Sequence, residues 1–202
     1  MNDIFILIGD SLTFGYGVFK KKSFSYKLSK SLKIPVINKG VNGDTTASIL
    51  NRIYEDVFIS KPKYIFIMAG TNDLLCGRKV ETIIDNIEEM IVEGLKITKN
   101  IIIGIPPCII KSLAYKLFSP SDLYDYTDEN LINLKNSLVD LCKNYNINYI
   151  NLYTITKQYI TDNKFNKLEK NNIFIDGIHL NSYGNEIIFD EIIKLLPKNI
   201  IK

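Results

Sequence analysis

The sequence predicts an α/β fold, a parallel β-sheet with helices on both faces. Strand-like and helix-like stretches alternate along the whole chain, the pattern that βαβ units produce. One strand-like run, Tyr64 to Ala69, is almost wholly apolar, as a strand covered on both faces must be. Another, Ile4 to Ile8, is cut off by Gly9-Asp10, and its length and β-branched content mark a buried strand. Each crossover between such strands is expected to be right-handed.

The first strand hands over to a loop containing Ser11, Gly15 and Gly17. That loop lies at the carboxyl end of the strand, where open α/β sheets bind ligands. Ser23 to Leu32 has helical spacing through Phe24, Leu28 and Leu32, and Ile34 to Ile37 reads as a second strand ending at Asn38. Asp44 to Ile59 carries Ile49, Ile53 and Val57 on one helix face, with Thr45 or Asp44 able to cap its start. After the third strand, Tyr64 to Ala69, comes a helix over Val80 to Leu95, with Ile83, Ile84, Ile87, Met90, Ile91 and Leu95 in its apolar stripe. Ile101 to Ile105 is the fourth strand, closed by Pro106-Pro107. Cys108 to Thr127 shows no clear period. So long a connection is either a lid or binding loop, rich in tyrosine and phenylalanine here, or a packed surface loop. Asp128 to Tyr145 is helical, Ile147 to Leu152 is the fifth strand, and Asn181 or Ser182 to Leu196 is a last helix followed by Pro197. No repeat or linker divides the chain, so one domain over residues 1–202 is expected.

Composition narrows the function classes. Of 202 residues, 46% are hydrophobic and 23% charged, as in ordinary globular proteins. A net charge of +3 argues against a nucleic-acid partner, and the densest basic run, Lys20-Lys21-Lys22, reads as a solvated turn because a nucleic-acid face needs a broader stripe. Asp3 stands where a secretory leader would be basic, and no stretch is long enough to span a bilayer. Cys76, Cys108 and Cys142 are odd in number and widely spaced, which fits neither a disulfide framework nor a zinc pattern. Reduced thiols and a cytoplasmic location are therefore expected.

The turns after successive strands carry the chemistry. Gly9-Asp10-Ser11-Leu12 follows the first, Asn38 to Asp44 the second, and Gly70-Thr71-Asn72-Asp73 the third. In a parallel sheet these turns lie along one edge. Taken alone, a glycine-rich turn after a first strand can equally cradle a phosphate on backbone N–H groups. A serine nucleophile needs a base within hydrogen-bond reach, and His179 is the only histidine. Asp176, three residues earlier in Asp176-Gly177-Ile178-His179, faces the same way on a turn-like segment and can take one ring nitrogen while the other meets Ser11. The plainer alternative makes His179 a surface or capping residue and Asp176 a turn former. Acyl transfer also needs oxyanion donors. The backbone N–H of Ser11, the backbone at Gly43 and the Asn72 amide can serve, although Gly43 and Asn72 are each also ordinary turn residues.

Four blocks, GDSLTFGYG, NKGVNGDTT, GTND and DGIHLNSYG, run in order from Gly9 to Gly184, and in them the chain resembles the GDSL or SGNH hydrolases. The resemblance matches Ser11 to the nucleophile, Gly43 and Asn72 to the oxyanion residues, and Asp176 and His179 to the acid and base. It implies a three-layer α/β/α sandwich around a five-stranded parallel sheet, a flavodoxin-like arrangement. It also implies hydrolysis of a small-molecule acyl ester or thioester through an acyl-serine, with no metal or cofactor. Asp10 and Asp73 would support the serine, though each can equally be a turn or cap aspartate. Substrates in this family range over carbohydrate acetyl esters, lysophospholipids, thioesters and simple esters. The aromatic residues of 108–127 favour an apolar acyl chain. Leu74, Leu75 and Cys76 either line the pocket or pack in the core. Two other functions remain open at this point, a non-catalytic ligand-binding module and a flavodoxin-like nucleotide binder. The oligomeric state is open as well.

Overall fold

The structure, a computed structural model, describes residues 2–118, 121–162 and 173–202. Strands β1 (Asn2–Gly9), β2 (Val36–Gly40), β3 (Pro62–Met68), β4 (Ile101–Ile105) and β5 (Asn148–Asn151) form one sheet in the order β2-β1-β3-β4-β5, every neighbouring pair parallel. Phe5 to Ile8 and Ile65 to Met68 are fully buried, which is why these central strands read as continuous apolar runs.

Nine helices accompany them among the described residues: α1 (Ser11–Phe14), α2 (Phe24–Ser31), α3 (Thr46–Asp56), α4 (Thr71–Leu75), α5 (Val80–Leu95), α6 (Lys111–Leu117), α7 (Leu123–Asn144), α8 (Leu152–Asp162) and α9 (Ser182–Leu195). Successive residues of a strand face opposite sides of a sheet, and Ile65 and Phe66 show what covers each. Gly94 of α5 lies against Ile65 and Ile101. Phe24 of α2 meets Phe66 with ring centroids 5.8 Å apart. Helices α3 and α7 join α5 on its side, and α9 joins α2 on the other. The result is the three-layer α/β/α sandwich that the sequence predicts.

Differences from the sequence reading have local causes. Strand β2 runs on through Asn38 and Lys39 to Gly40, because an edge strand with one open face accepts polar residues. Residues 108–127 are not an aperiodic loop. They contain α6 and the first turn of α7, whose buried stripe Tyr124, Thr127, Leu131, Leu134 begins with two residues that are not aliphatic. Thr45 caps α3 through Ser48 N, and Asn181 caps α9 through Tyr183 N and Gly184 N. Lys20–Lys22 forms an exposed 3₁₀ turn. Among the described residues no helix is long and apolar enough to cross a membrane.

The register sets the site. Gly9 pairs with both Gly40 and Met68, and Met68 with Gly104. The loops after β1, β2 and β3 therefore leave the sheet from one level.

Candidate active site

Ser11 is the first residue of α1, directly beyond β1. Asp10 caps this short helix, its Oδ1 accepting from Leu12 N at 2.9 Å. The cap leaves the Ser11 N–H pointing off the helix start with no intrahelical acceptor.

The far side of the site is a tight turn before α9. Phe174 and Leu180 form an antiparallel bridge, and Ile175 N donates to His179 O at 2.8 Å, pinching the turn shut. Inside it, Asp176 Oδ1 accepts from Ile178 N at 2.9 Å and His179 N at 2.8 Å. Its Oδ2 lies 2.6 Å from His179 Nδ1, and His179 Nε2 lies 2.9 Å from Ser11 Oγ. Burial works upward on the Asp176 carboxyl. The imidazole and the two backbone amides outweigh it and hold the group below its ordinary value. An ionised Asp176 keeps the proton on Nδ1 and leaves the Nε2 lone pair facing the serine.

Gly177 holds this turn against α6. Its φ is +94°, and a Cβ there would stand 2.5 Å from Ile110 O and 2.8 Å from Ala114 N. Ile110 N in turn donates to Gly177 O at 2.8 Å. The stretch that looked like a loop thus packs against the turn that holds Asp176 and His179. Residues 119 and 120 of that stretch lie outside the described residues.

Gly43 has φ +83°, a left-handed conformation that favours glycine, and nothing stands within 4 Å of where its Cβ would point. Asn72, in α4, donates from Nδ2 to Asp44 O at 2.9 Å, which ties the turn after β3 to the turn after β2. Each amide nitrogen carries two protons, so one remains. Asp73 accepts from Thr46 N and from the Thr46 hydroxyl, both at 2.8 Å, and so fastens α4 to the start of α3. Burial raises its pKa.

Two residues that sequence reasoning passed over belong here. Arg52 of α3 donates from Nε to Asp44 Oδ2 at 2.7 Å, from one terminal nitrogen to Asp56 at 2.6 Å, and from the other to Gly9 O at 3.2 Å. It links the end of β1 to the Gly43–Asp44 turn. The carboxylates eight positions before it and four after it are the only signal of this in the sequence. Tyr16 lays its ring 4.5 Å from the His179 ring at 44°. Leu74 is buried in the core, while Cys76 is exposed. A shallow depression beside the serine is lined by Ser11, Leu12, Gly15, Tyr16, His179, Leu180 and Asn185. Among the described residues no group of three or more His, Cys, Asp or Glu is placed to hold a metal ion.

Comparison with known proteins shows the family to which the chain belongs. The family profile described as GDSL-like Lipase/Acylhydrolase matches residues 5–192. An arylesterase of Vibrio mimicus is 33% identical over 43% of this chain and 46% of its own length. An isoamyl acetate-hydrolyzing esterase of Schizosaccharomyces pombe is 26% identical over 95% of this chain and 74% of its own. The chain spans less than half the length of the first curated relatives it matches. Among solved structures, a lipolytic G-D-S-L family protein from Veillonella parvula superposes with a TM-score of 0.76 at 22% identity, covering 96% of this chain and 98% of the other. That likeness concerns the fold.

Proposed function

Because the chain belongs to the GDSL-like lipase/acylhydrolase family, we propose that it hydrolyses carboxylic esters or thioesters of small acyl substrates through an acyl-serine intermediate, the whole chain serving as one domain. The observation that carries this reading is the unbroken chain Ser11 Oγ–His179 Nε2–Nδ1–Asp176 Oδ2, at 2.9 and 2.6 Å. Simple ligand binding has no use for such a proton path.

In this reading Ser11 Oγ attacks the substrate carbonyl carbon as its proton passes to His179 Nε2. The carbonyl oxygen becomes an oxyanion and takes hydrogen bonds from the Ser11 and Gly43 amides and the free proton of Asn72 Nδ2. Each donor of this kind contributes about 2.7–4 kcal/mol to lowering the barrier. Collapse expels the alcohol or thiol, which receives the proton from His179. Water then attacks the acyl-serine, giving a proton to His179. The acid departs as Ser11 regains its own. No step calls on a metal ion or cofactor. The printed names of the relatives, an arylesterase and an isoamyl acetate-hydrolyzing esterase, support simple esters as first substrates. Three free thiols, two of them buried, suit the reducing conditions of the cytoplasm.

The test is hydrolysis of p-nitrophenyl esters from acetate to palmitate by wild type and Ser11→Ala. Loss of turnover by at least about 10⁴-fold in the variant is expected, and the chain-length optimum reads the acyl preference. Turnover that survives in the variant refutes the serine mechanism.

A further inference from the structure

Directly after the serine helix the chain turns apolar and basic side chains into solvent. Phe14, Tyr16 and Phe19 are 53%, 45% and 87% exposed. Lys20, Lys21 and Lys22 follow on an exposed 3₁₀ turn, and none of them has an ion-pair partner among the described residues.

This surface is held in place. Lys22 N donates to Phe19 O at 2.7 Å, and the Ser23 hydroxyl donates to Lys20 O at 2.8 Å while also capping α2. Gly15, a wall of the depression beside the serine, packs on Ser23, with a Cβ there coming within 2.9 Å of the Ser23 Cβ. The basic turn therefore abuts the loop whose Tyr16 lies on His179. On the other flank Gly17 packs on Ile175, itself 37% exposed. The exposed aromatic residues and the basic turn thus lie in one continuous stretch, Phe14 to Lys22, directly after the helix that begins at Ser11.

An aromatic side chain left almost wholly in water gains nothing from the fold. Beside three unpaired lysines it has the make-up of a surface that sits on anionic lipid: an aromatic ring at the headgroup–acyl boundary and cations among the phosphates. A nucleic-acid face would need a broader basic stripe. We propose that the Phe14–Lys22 surface docks on the headgroup layer of an anionic phospholipid bilayer, with Phe19 inserted and Lys20, Lys21 and Lys22 against lipid phosphates. Each lysine near such a surface strengthens binding by roughly fivefold, so the three together contribute about a hundredfold. Docking of this strength is reversible and weakened by salt. It goes beyond the hydrolysis reading and does not depend on it.

The experiment is sedimentation with vesicles of phosphatidylcholine alone and of phosphatidylcholine mixed with phosphatidylserine. It uses wild type, Ser11→Ala, Phe19→Ser, and the triple variant Lys20→Gln, Lys21→Gln, Lys22→Gln. Wild type and Ser11→Ala are expected to bind the anionic vesicles alike, to release them at high salt, and to leave neutral vesicles unbound. The triple variant should lose about a hundredfold in affinity and Phe19→Ser a smaller part, while both keep wild-type hydrolysis of p-nitrophenyl acetate. Equal binding by the triple variant overturns the proposal. So does equal binding to neutral vesicles, capture of single-stranded DNA in place of vesicles, or burial of this face in a stable dimer.

Discussion

A carboxyl group beside a serine stays ionised at neutral pH if water reaches it. Burial denies Asp10 that water and pushes its pKa from 3.8 up to about 7, against the pull of the Leu12 amide and His179. Between those two values the folded chain holds a proton that the unfolded chain has released. The stabilisation is therefore complete below about pH 4 and is lost as pH rises through about 7, a change on the order of 4 kcal/mol. Asn in place of Asp10 keeps an oxygen for Leu12 N and removes the titration. Asp10→Asn is thus expected to flatten the decline of Tm between pH 5 and pH 8, leaving the variant roughly 8–16 °C above wild type at the alkaline end. Parallel Tm profiles for the two proteins would refute this account of Asp10. At this scale the sequence was most informative where chemistry forces residue types together. A lone histidine three residues after an aspartate, and a serine after a strand, led to three side chains that meet. Asp10 and Asp73 left two readings open because an aspartate in a turn looks the same whether it caps its own helix or fastens another.

Helix α3 supplies more than a layer of the sandwich. Through Arg52 it clamps the end of β1 to the turn that presents Gly43, and Asn72 holds the same turn from α4. Lysine retains the charge but not the fork that reaches Asp44, Asp56 and Gly9 together. On the proposed mechanism Arg52→Lys should therefore lower kcat by about tenfold or more while moving KM little, since misplaced oxyanion donors weaken the transition state rather than the encounter. An unchanged kcat with a lowered Tm would make Arg52 a purely structural residue. Nothing in the period of α3 betrays this role, because a polar-face arginine is ordinary on an amphipathic helix. The long helices were legible through their apolar stripes. Helices α1 and α4, with 4 and 5 residues, are too short to have a period, and the β-branched residues of α8 obscure its own.

Over the whole molecule, the strands that read most plainly are those buried on both faces. The same burial sorts the thiols. Cys108 and Cys142 lie in the core, where desolvation pushes both up, Cys142 to about 12, whereas Cys76 is exposed. A thiol-specific chromogenic reagent should titrate one cysteine in the native protein and all three in guanidinium. More than one fast-reacting thiol in the native state would contradict this packing. The contact between Ser11 and His179 has a consequence for the history of each molecule. The two residues stand 168 positions apart, so their hydrogen bond closes most of the chain into a single loop, an arrangement that forms only after shorter-range contacts have offset its entropy. A ribosome delivers the proposed nucleophile, Ser11, long before the proposed base, His179. A half-made chain is therefore an inert alcohol rather than a stray hydrolase, and the return of turnover after dilution from denaturant counts only molecules that have finished folding.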